Sequence, residues 1–222
     1  MFMKIGILLR GIAYGKSNHT NRENFERDFR NCAENFYEMV LNPLKELHEV
    51  KVYLCTYEHP FMQEMLETYE PEKTKILNFE FSNQITNFLE ALELIEEEQL
   101  DFVLVMRFDM KYNIQVTDLG IDFDKVNFSY RLAPPEVSPW EHWQFVSDLA
   151  FYFPPKYINQ IASAAHDLLA NPPRIWIDLH GLYKNLKQYI KEDEINFLTD
   201  EIWQHCNSKH PIHEIVRTKI SD

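Results

Sequence analysis

Residues 101–110 read DFVLVMRFDM. The run from Asp101 to Met106 is apolar on both faces, as expected for a central strand of a parallel sheet covered by helices on either side. It passes straight into Arg107, Phe108 and Asp109. A carboxylate one step beyond such a strand is held rigidly on the edge where open α/β sheets bind ligands, within reach of a metal or a sugar hydroxyl. Asp109 is therefore the leading candidate for a functional residue. Arg107 and Asp109, two apart and so on one side, also read as a local salt bridge capping the sheet.

Working outward, Lys4 to Leu9 (KIGILL) is a second buried strand that stops at Arg10 and Gly11. The polar stretch Gly11 to Asn21 reads as a loop. After it Phe25, Phe29, Cys32, Phe36, Met39 and Val40 recur at helical spacing, which predicts a long helix ending near Asn42-Pro43 or kinking on to Leu47. Val50 to Cys55 (VKVYLC) is a strand, Phe61 to Tyr69 a short helix, Lys75 to Phe81 a weaker strand, and Ile85 to about Gln99 an amphipathic helix whose acidic end, Glu96 to Glu98, faces solvent. In the second half Val126 to Leu132 and Leu149 to Phe153 read as strands. Tyr157 to Leu169 and Asp178 to Tyr189 read as helices, and the tail from Ile195 as one or two short helices and a final strand. Alternating β and α elements predict an α/β fold with a mostly parallel sheet flanked by helices.

The composition agrees. A chain of 222 residues, 45% hydrophobic and 14% aromatic, suits one globular domain with a sizeable core. Its formal net charge of -13 argues against broad nucleic-acid binding, yet leaves room for a local basic pocket that holds one diphosphate. Cys32, Cys55 and Cys206 lack paired spacing, so the expectation is a reducing, cytoplasmic setting without a disulfide framework. The start, MFMKIGILLRG, has too short an apolar run for a signal peptide or a membrane span.

Further candidates sit at the same predicted sheet edge. Arg10 offers a forked guanidinium to phosphate oxygens, and Gly11 lets backbone N–H groups approach closely. Thr56 and Tyr57 end the strand begun at Val50, where a nucleoside would lie, the tyrosine ring being suited to stacking on a base. Asp148 follows the aromatic stretch of Trp140, Trp143 and Phe145, a platform for a sugar ring, and is the candidate general base for an acceptor hydroxyl. His205, Cys206, His210 and His213 form a loose cluster whose spacing matches no strong zinc motif. The chain has no GxxxxGKS, no GxGxxG after the first strand and no GxSxG. A P-loop kinase, a dinucleotide dehydrogenase and an α/β hydrolase are thereby disfavoured.

KIGILLRG (Lys4 to Gly11), YLCTYEHP (Tyr53 to Pro60), VLVMRFDM (Val103 to Met110), SDLAFYFPPKY (Ser147 to Tyr157) and DLHGLY (Asp178 to Tyr183) together resemble the small GT-A-like nucleotide-sugar glycosyltransferases of large algal viruses and some bacteria. The resemblance implies a single domain over 1–222, with a donor half at 1–112 and an acceptor half at 113–222. It implies transfer from a UDP- or GDP-sugar to a glycan or glycoprotein acceptor. It also implies a divalent ion, Mn2+ or Mg2+, at an Asp-x-Asp motif, with His180 near the metal or diphosphate. Here Arg107 replaces the first Asp. Either Asp109 binds a metal with fewer protein ligands, or Arg107 itself offsets diphosphate charge. Two other readings stand beside this one: a non-catalytic carbohydrate-binding or interaction protein, and a metal-dependent phosphohydrolase built on Asp109.

Overall fold

The structure is a computed structural model that describes residues 2–16, 25–78, 83–133, 145–171, 179–204, 210–216 and 218–219. The expected aromatic platform of Trp140 and Trp143, along with Asp178, His205 and Cys206, lies outside them. In chain order the first half comprises β1 (Lys4–Arg10), β2 (Tyr14–Lys16), β3 (Phe25–Asp28), α1 (Arg30–Phe36), a π-helical turn (Tyr37–Leu41) running into α2 (Asn42–Lys45), β4 (Glu49–Tyr57), α3 (Met62–Tyr69), β5 (Lys73–Leu77), α4 (Gln84–Glu93) and β6 (Phe102–Arg107). The second half comprises β7 (Met110–Tyr112), β8 (Val126–Phe128), β9 (Arg131–Ala133), β10 (Phe145–Val146), β11 (Ala150–Phe153), α5 (Ile158–Ala170), α6 (Leu182–Leu186), β12 (Ile195–Phe197), β13 (Ile202–Gln204), β14 (His213–Ile215) and β15 (Thr218–Lys219).

Seven strands form the central sheet in the order β12-β8-β11-β6-β1-β4-β5. All run in one direction except β11, which is antiparallel to both neighbours. The period-2 alternation of the strands divides their side chains between two cores. Ile5, Ile7, Leu9, Val52, Leu54, Leu104 and Met106 meet Phe36, Val40, Leu44, Met65 and Tyr69 from α1 to α3 on one face. Leu8, Tyr53, Val103, Val105 and Phe151 meet Phe88 and Leu92 of α4, Ile161 and Leu168 of α5, and Leu186 of α6 on the other. The expected α/β fold with a mostly parallel, helix-flanked sheet is what the chain adopts. No helix among the described residues is long and apolar enough to cross a membrane.

Local chemistry sets the element ends. The Asn83 side chain accepts from the amides of Ile85 and Thr86 at 2.9 and 3.0 Å, and Thr86 Oγ1 accepts from the Asn83 amide at 2.7 Å, a capping box that starts α4. Gly11 has φ 102°, the left-handed region open to glycine, and this turns the chain sharply off the end of β1.

The structure corrects several expectations. Phe25 to Asp28 is a strand rather than helix: β3 pairs with β2 and β15, and helical structure starts only at Arg30. Of the two readings at Pro43 the structure takes the second: helical structure continues past it to Lys45, the π-helical turn before it accommodating a residue that has no N–H to donate. Val126 to Leu132 is broken into β8 and β9, which belong to different sheets. Where one or two short helices and a final strand are expected in the tail from Ile195, its described residues form the four short strands β12 to β15. The acidic end after α4 is only partly solvated, since Glu98 accepts from the Tyr53 hydroxyl at 3.1 Å and pairs with Lys73 at 2.6 Å.

One prediction arises from β14. His213 is 0% exposed, and both its ring nitrogens are buried without a hydrogen-bond partner among the described residues. His210 stacks on Tyr130 with ring centroids 4.0 Å apart. Burial pushes the His213 imidazole down to about 3 and the His210 imidazole to about 4, so both are neutral in the fold. The unfolded chain takes up these protons near pH 6.5, so their contribution to stability is present above that pH and is lost as pH falls toward 4. The His213 share alone is expected to be on the order of 2 kcal/mol between pH 7 and 4.5. Denaturant unfolding across this range checks it, and His213→Phe should flatten the acid slope.

Candidate functional site

The chain builds β1, β4 and β5 outward to one side, then crosses back through α4 to place β6 on the other side of β1. Adjacent strands whose connections leave in opposite directions open a crevice at their carboxyl ends, the usual ligand site of such sheets. β1 and β6 are that pair, and their register sets Arg10 beside Arg107 at the mouth of the crevice. β11 runs the opposite way, with Ala150 opposite Met106, so Asp148 just before it arrives at the same edge. Asp109 follows two residues after Arg107. The two-residue spacing and the antiparallel partner thus converge four of the expected residues on one point.

Arg107 is the hub. It donates to Asp109 twice, Nε to Oδ1 at 2.8 Å and Nη2 to Oδ2 at 2.7 Å, and its Nη1 donates to Asp148 Oδ2 at 3.0 Å. The local salt bridge read from the sequence is therefore present, as one edge of a larger network. Arg27, on β3, donates from Nε to Asp109 Oδ2 at 2.9 Å. Gln84, the first residue of α4, donates to Asp148 Oδ2. Arg10 donates from Nη2 to the Asp148 carbonyl oxygen at 2.8 Å, and its guanidinium lies 5.3 Å from the Phe88 ring centroid and 5.9 Å from that of Phe151. His180 Nε2 stands 3.8 Å from Asp148 Oδ1, while Nδ1 is 2.8 Å from the Val146 carbonyl oxygen.

These charges are out of water: Arg10 is 2% exposed, Asp109 3% and Asp148 6%. Burial lowers Arg10 to about 10, with Asp148 opposing and Arg107 adding to the fall. Burial would also raise the Asp148 carboxyl, but His180, Arg107, Arg10 and Gln84 outweigh it and hold the group far below the usual carboxylate range. Arg107 is raised despite burial by its two carboxylates. Three guanidinium groups face two carboxylates, leaving local positive charge buried in a strongly acidic protein. Arg10 Nε and Arg27 Nη1 are buried N–H donors without a partner among the described residues. Buried donors left unsatisfied are costly, and a site that keeps them is suited to an anion that supplies the missing acceptors.

The remaining expected residues divide. Thr56 Oγ1 donates to the Gly11 carbonyl oxygen at 2.8 Å, and the Gly11 amide donates to the Cys55 carbonyl at 3.0 Å. Thr56 and Gly11 thus clamp the turn that aims Arg10 instead of presenting groups of their own. Thr56→Val is expected to lower stability by about 1 kcal/mol, since it strands that carbonyl; thermal unfolding of the purified variant checks this. Tyr57 is 8% exposed at the end of β4. Arg27 and Gln84 carry no strand-end signal in the sequence. Arg27 falls in a stretch whose aromatic spacing reads as helix, and Gln84 reads as an ordinary first-turn residue of α4.

The donor set suits a divalent cation poorly. Both Asp109 oxygens already accept from guanidinium groups, so an ion there would face two like charges at close range. No group of three or more His, Cys, Asp or Glu among the described residues is placed to hold a metal ion. The expected pairing of Asp109 with His180 as metal ligands finds no support in this arrangement: His180 lies against Asp148, and Asp109 is engaged by Arg27 and Arg107.

No protein-family model matches the sequence, and no curated protein matches it. In structure the chain is similar to 4-diphosphocytidyl-2C-methyl-D-erythritol synthase from Anaerococcus prevotii, with a TM-score of 0.53 at 12% identity over 95% of this chain and 91% of that one. A protein from Desulfovibrio desulfuricans assigned as a nucleotide-diphospho-sugar transferase gives 0.47 at 9% identity, over 92% and 82% of the two chains. The glycosyltransferase GlyE of Streptococcus pneumoniae gives 0.44 at 12% identity, over 89% of this chain and 45% of that one. At these identities the likeness is one of fold alone, the α/β sheet shared with the Anaerococcus prevotii synthase.

Proposed function

We propose that this chain is a glycosyltransferase that moves a sugar from a nucleoside diphosphate sugar, UDP- or GDP-linked, to a glycan or glycoprotein acceptor. The observation that carries the reading is the convergence of buried Arg10 and partly buried Arg107 with Asp109 and Asp148 at the carboxyl ends of β1 and β6. Arg10 and Arg107 take the donor phosphates, and the Gly11 turn, clamped by Thr56, aims Arg10. Tyr57, at the end of β4, lies on the nucleoside side. Asp148 is the base that accepts the proton of the acceptor hydroxyl. The acceptor oxygen then bonds to the anomeric carbon, the bond from that carbon to the phosphate oxygen breaks, and its electron pair leaves on the diphosphate beside the guanidinium groups.

A carboxylate pinned by cations is a weak base, since general bases act best when their pKa lies near the working pH. Donor phosphates compete for the same guanidinium groups. Their arrival draws Arg107 off Asp148 and raises its basicity when a proton must be taken. His180 is a positioning residue here, anchored on the Val146 carbonyl with its other nitrogen toward Asp148.

The test is thermal unfolding against UDP, GDP, CMP and their sugars, followed by an assay for nucleoside diphosphate release with a panel of glycan acceptors. A ligand at a hundred times its dissociation constant adds about 2.7 kcal/mol, which is readily seen. A selective shift with acceptor-dependent release supports the reading. Glycan binding without any nucleotide shift would move the assignment to a carbohydrate-binding protein, and phosphate release that needs no acceptor would move it to a phosphohydrolase.

A further inference from the structure

Resting on that reading of the site, we propose that the donor diphosphate is bound by an arginine clamp of Arg10, Arg27 and Arg107 in place of a divalent metal ion, with Asp109 and Asp148 holding the clamp in shape until phosphate takes their place. Four observations support it. First, the three guanidinium groups converge from separate parts of the fold, β1, β3 and the end of β6, although nothing in the chain's overall charge favours gathering cations. Second, Arg10 Nε and Arg27 Nη1 are buried donors with no acceptor among the described residues, as a site waiting for additional oxygens requires.

Third, the Asp109 carboxylate already occupies the Arg107 guanidinium fork in the geometry a phosphate would use. Asp109 takes two parallel N–H bonds from Arg107 at 2.8 and 2.7 Å, and a third from Arg27 at 2.9 Å. Carboxylate and phosphate are the two anions this planar fork matches, so one can replace the other with little movement of the arginine. Fourth, Asp109, which the resemblance would make a metal ligand, shares an oxygen between two arginines. Phosphate entering this setting meets compensating charge at once, whereas a divalent cation meets repulsion.

Arg27 is the distinguishing residue, because it lies outside both strand-end motifs and donates to Asp109 across 82 residues of chain. The experiment is calorimetric titration of the intact chain with pyrophosphate, UDP and GDP in EDTA, repeated with Mn2+ and with Mg2+, for the wild type, Arg27→Ala and Arg27→Lys. The expected result is binding of pyrophosphate and of one nucleoside diphosphate in EDTA, changed less than about twofold by either ion. Arg27→Ala should weaken both by about ten- to a hundredfold, the usual loss for a charge-assisted hydrogen bond, and Arg27→Lys should recover part of it. Binding that appears only with Mn2+ or Mg2+ overturns the clamp and leaves the glycosyltransferase reading intact. So does wild-type affinity in Arg27→Ala.

The opposite failure is distinguishable. Pyrophosphate binding in EDTA that depends on Arg27, with neither nucleotide competing, keeps the clamp and overturns the nucleotide-sugar reading. No binding of any of the three under any condition overturns both. Should Arg27→Ala fail to fold, Arg27→Lys keeps the charge while losing the fork, and its weakened pyrophosphate binding serves the same end.

Discussion

Arg107→Met is expected to lower stability by about 3 to 5 kcal/mol and to remove measurable transfer, the largest effect of any single substitution at this site. Arg107 supplies three of the hydrogen bonds that satisfy Asp109 and Asp148, at 2.8, 2.7 and 3.0 Å. Methionine keeps much of the volume and leaves two buried carboxylates short of a cation. Breaking one side of a buried ion network costs more than the network is worth as a whole, because the stranded charge stays desolvated. Asp109 retains Arg27, and Asp148 retains Gln84, so the loss should stop short of the full burial cost of two charges. Adding Asp148→Asn to Arg107→Met should recover part of the stability, as removing a stranded charge does. Urea unfolding of the single and double variants measures both, and a single variant within about 1 kcal/mol of wild type would show that the network is not the hub described.

The same variant carries a pH signature. Asp148 has its folded pKa depressed below the unfolded value of 3.8, so the wild type holds this stability above that value and loses it as pH falls through the folded pKa. Removing Arg107 takes away one of the causes of the depression while burial still pushes upward. Arg107→Met should therefore start less stable but lose less stability than wild type between pH 5 and pH 2, roughly the window in which such a carboxylate titrates. Equal acid slopes for the two proteins would mean that Arg107 does not set the Asp148 charge.

Asp148→Asn is expected to cut turnover by about a hundred- to ten-thousandfold at saturating donor, with donor affinity nearly unchanged. Asparagine is close in shape and still accepts from Arg107, but it takes no proton from a hydroxyl. Steady-state kinetics with the donor identified by the unfolding screen measures it. The acidic limb of the kcat profile should vanish in the variant, a readout that a purely supporting role for Asp148 would not move. Full turnover in Asp148→Asn would remove it as the base and leave it as the residue that holds Arg107 in place.

Much of the candidate site was legible because position along a strand is a local property. Arg10, Arg107 and Asp109 stand where apolar runs stop, and runs of alternating burial stop where the backbone leaves the sheet. Asp148 was legible for the same reason at the opposite end of β11, although its antiparallel direction was not. Arg27 was illegible: its contact with Asp109 spans 82 residues, and the aromatic spacing around it favours helix. β3 forms instead because it finds strand partners in β2 and β15, the latter near the far end of the chain. The short tail strands are illegible for a similar reason, since two- and three-residue strands carry too little alternation to read and exist only through their partners.

The sequence by itself determined the strands and helices of the two cores, the acidic surface and the residues that end the central strands. Each follows from spacing and composition within a few turns of chain, where backbone geometry decides which side chains share a face. Only the tertiary structure decided the sheet order, the reversed β11 and the gathering of Arg10, Arg27 and Arg107 around Asp109 and Asp148. Apolar strands of similar length can pair in many orders, and local pattern does not rank them. Shared burial does, because guanidinium and carboxylate groups leave water together only in an arrangement that lets each satisfy the other.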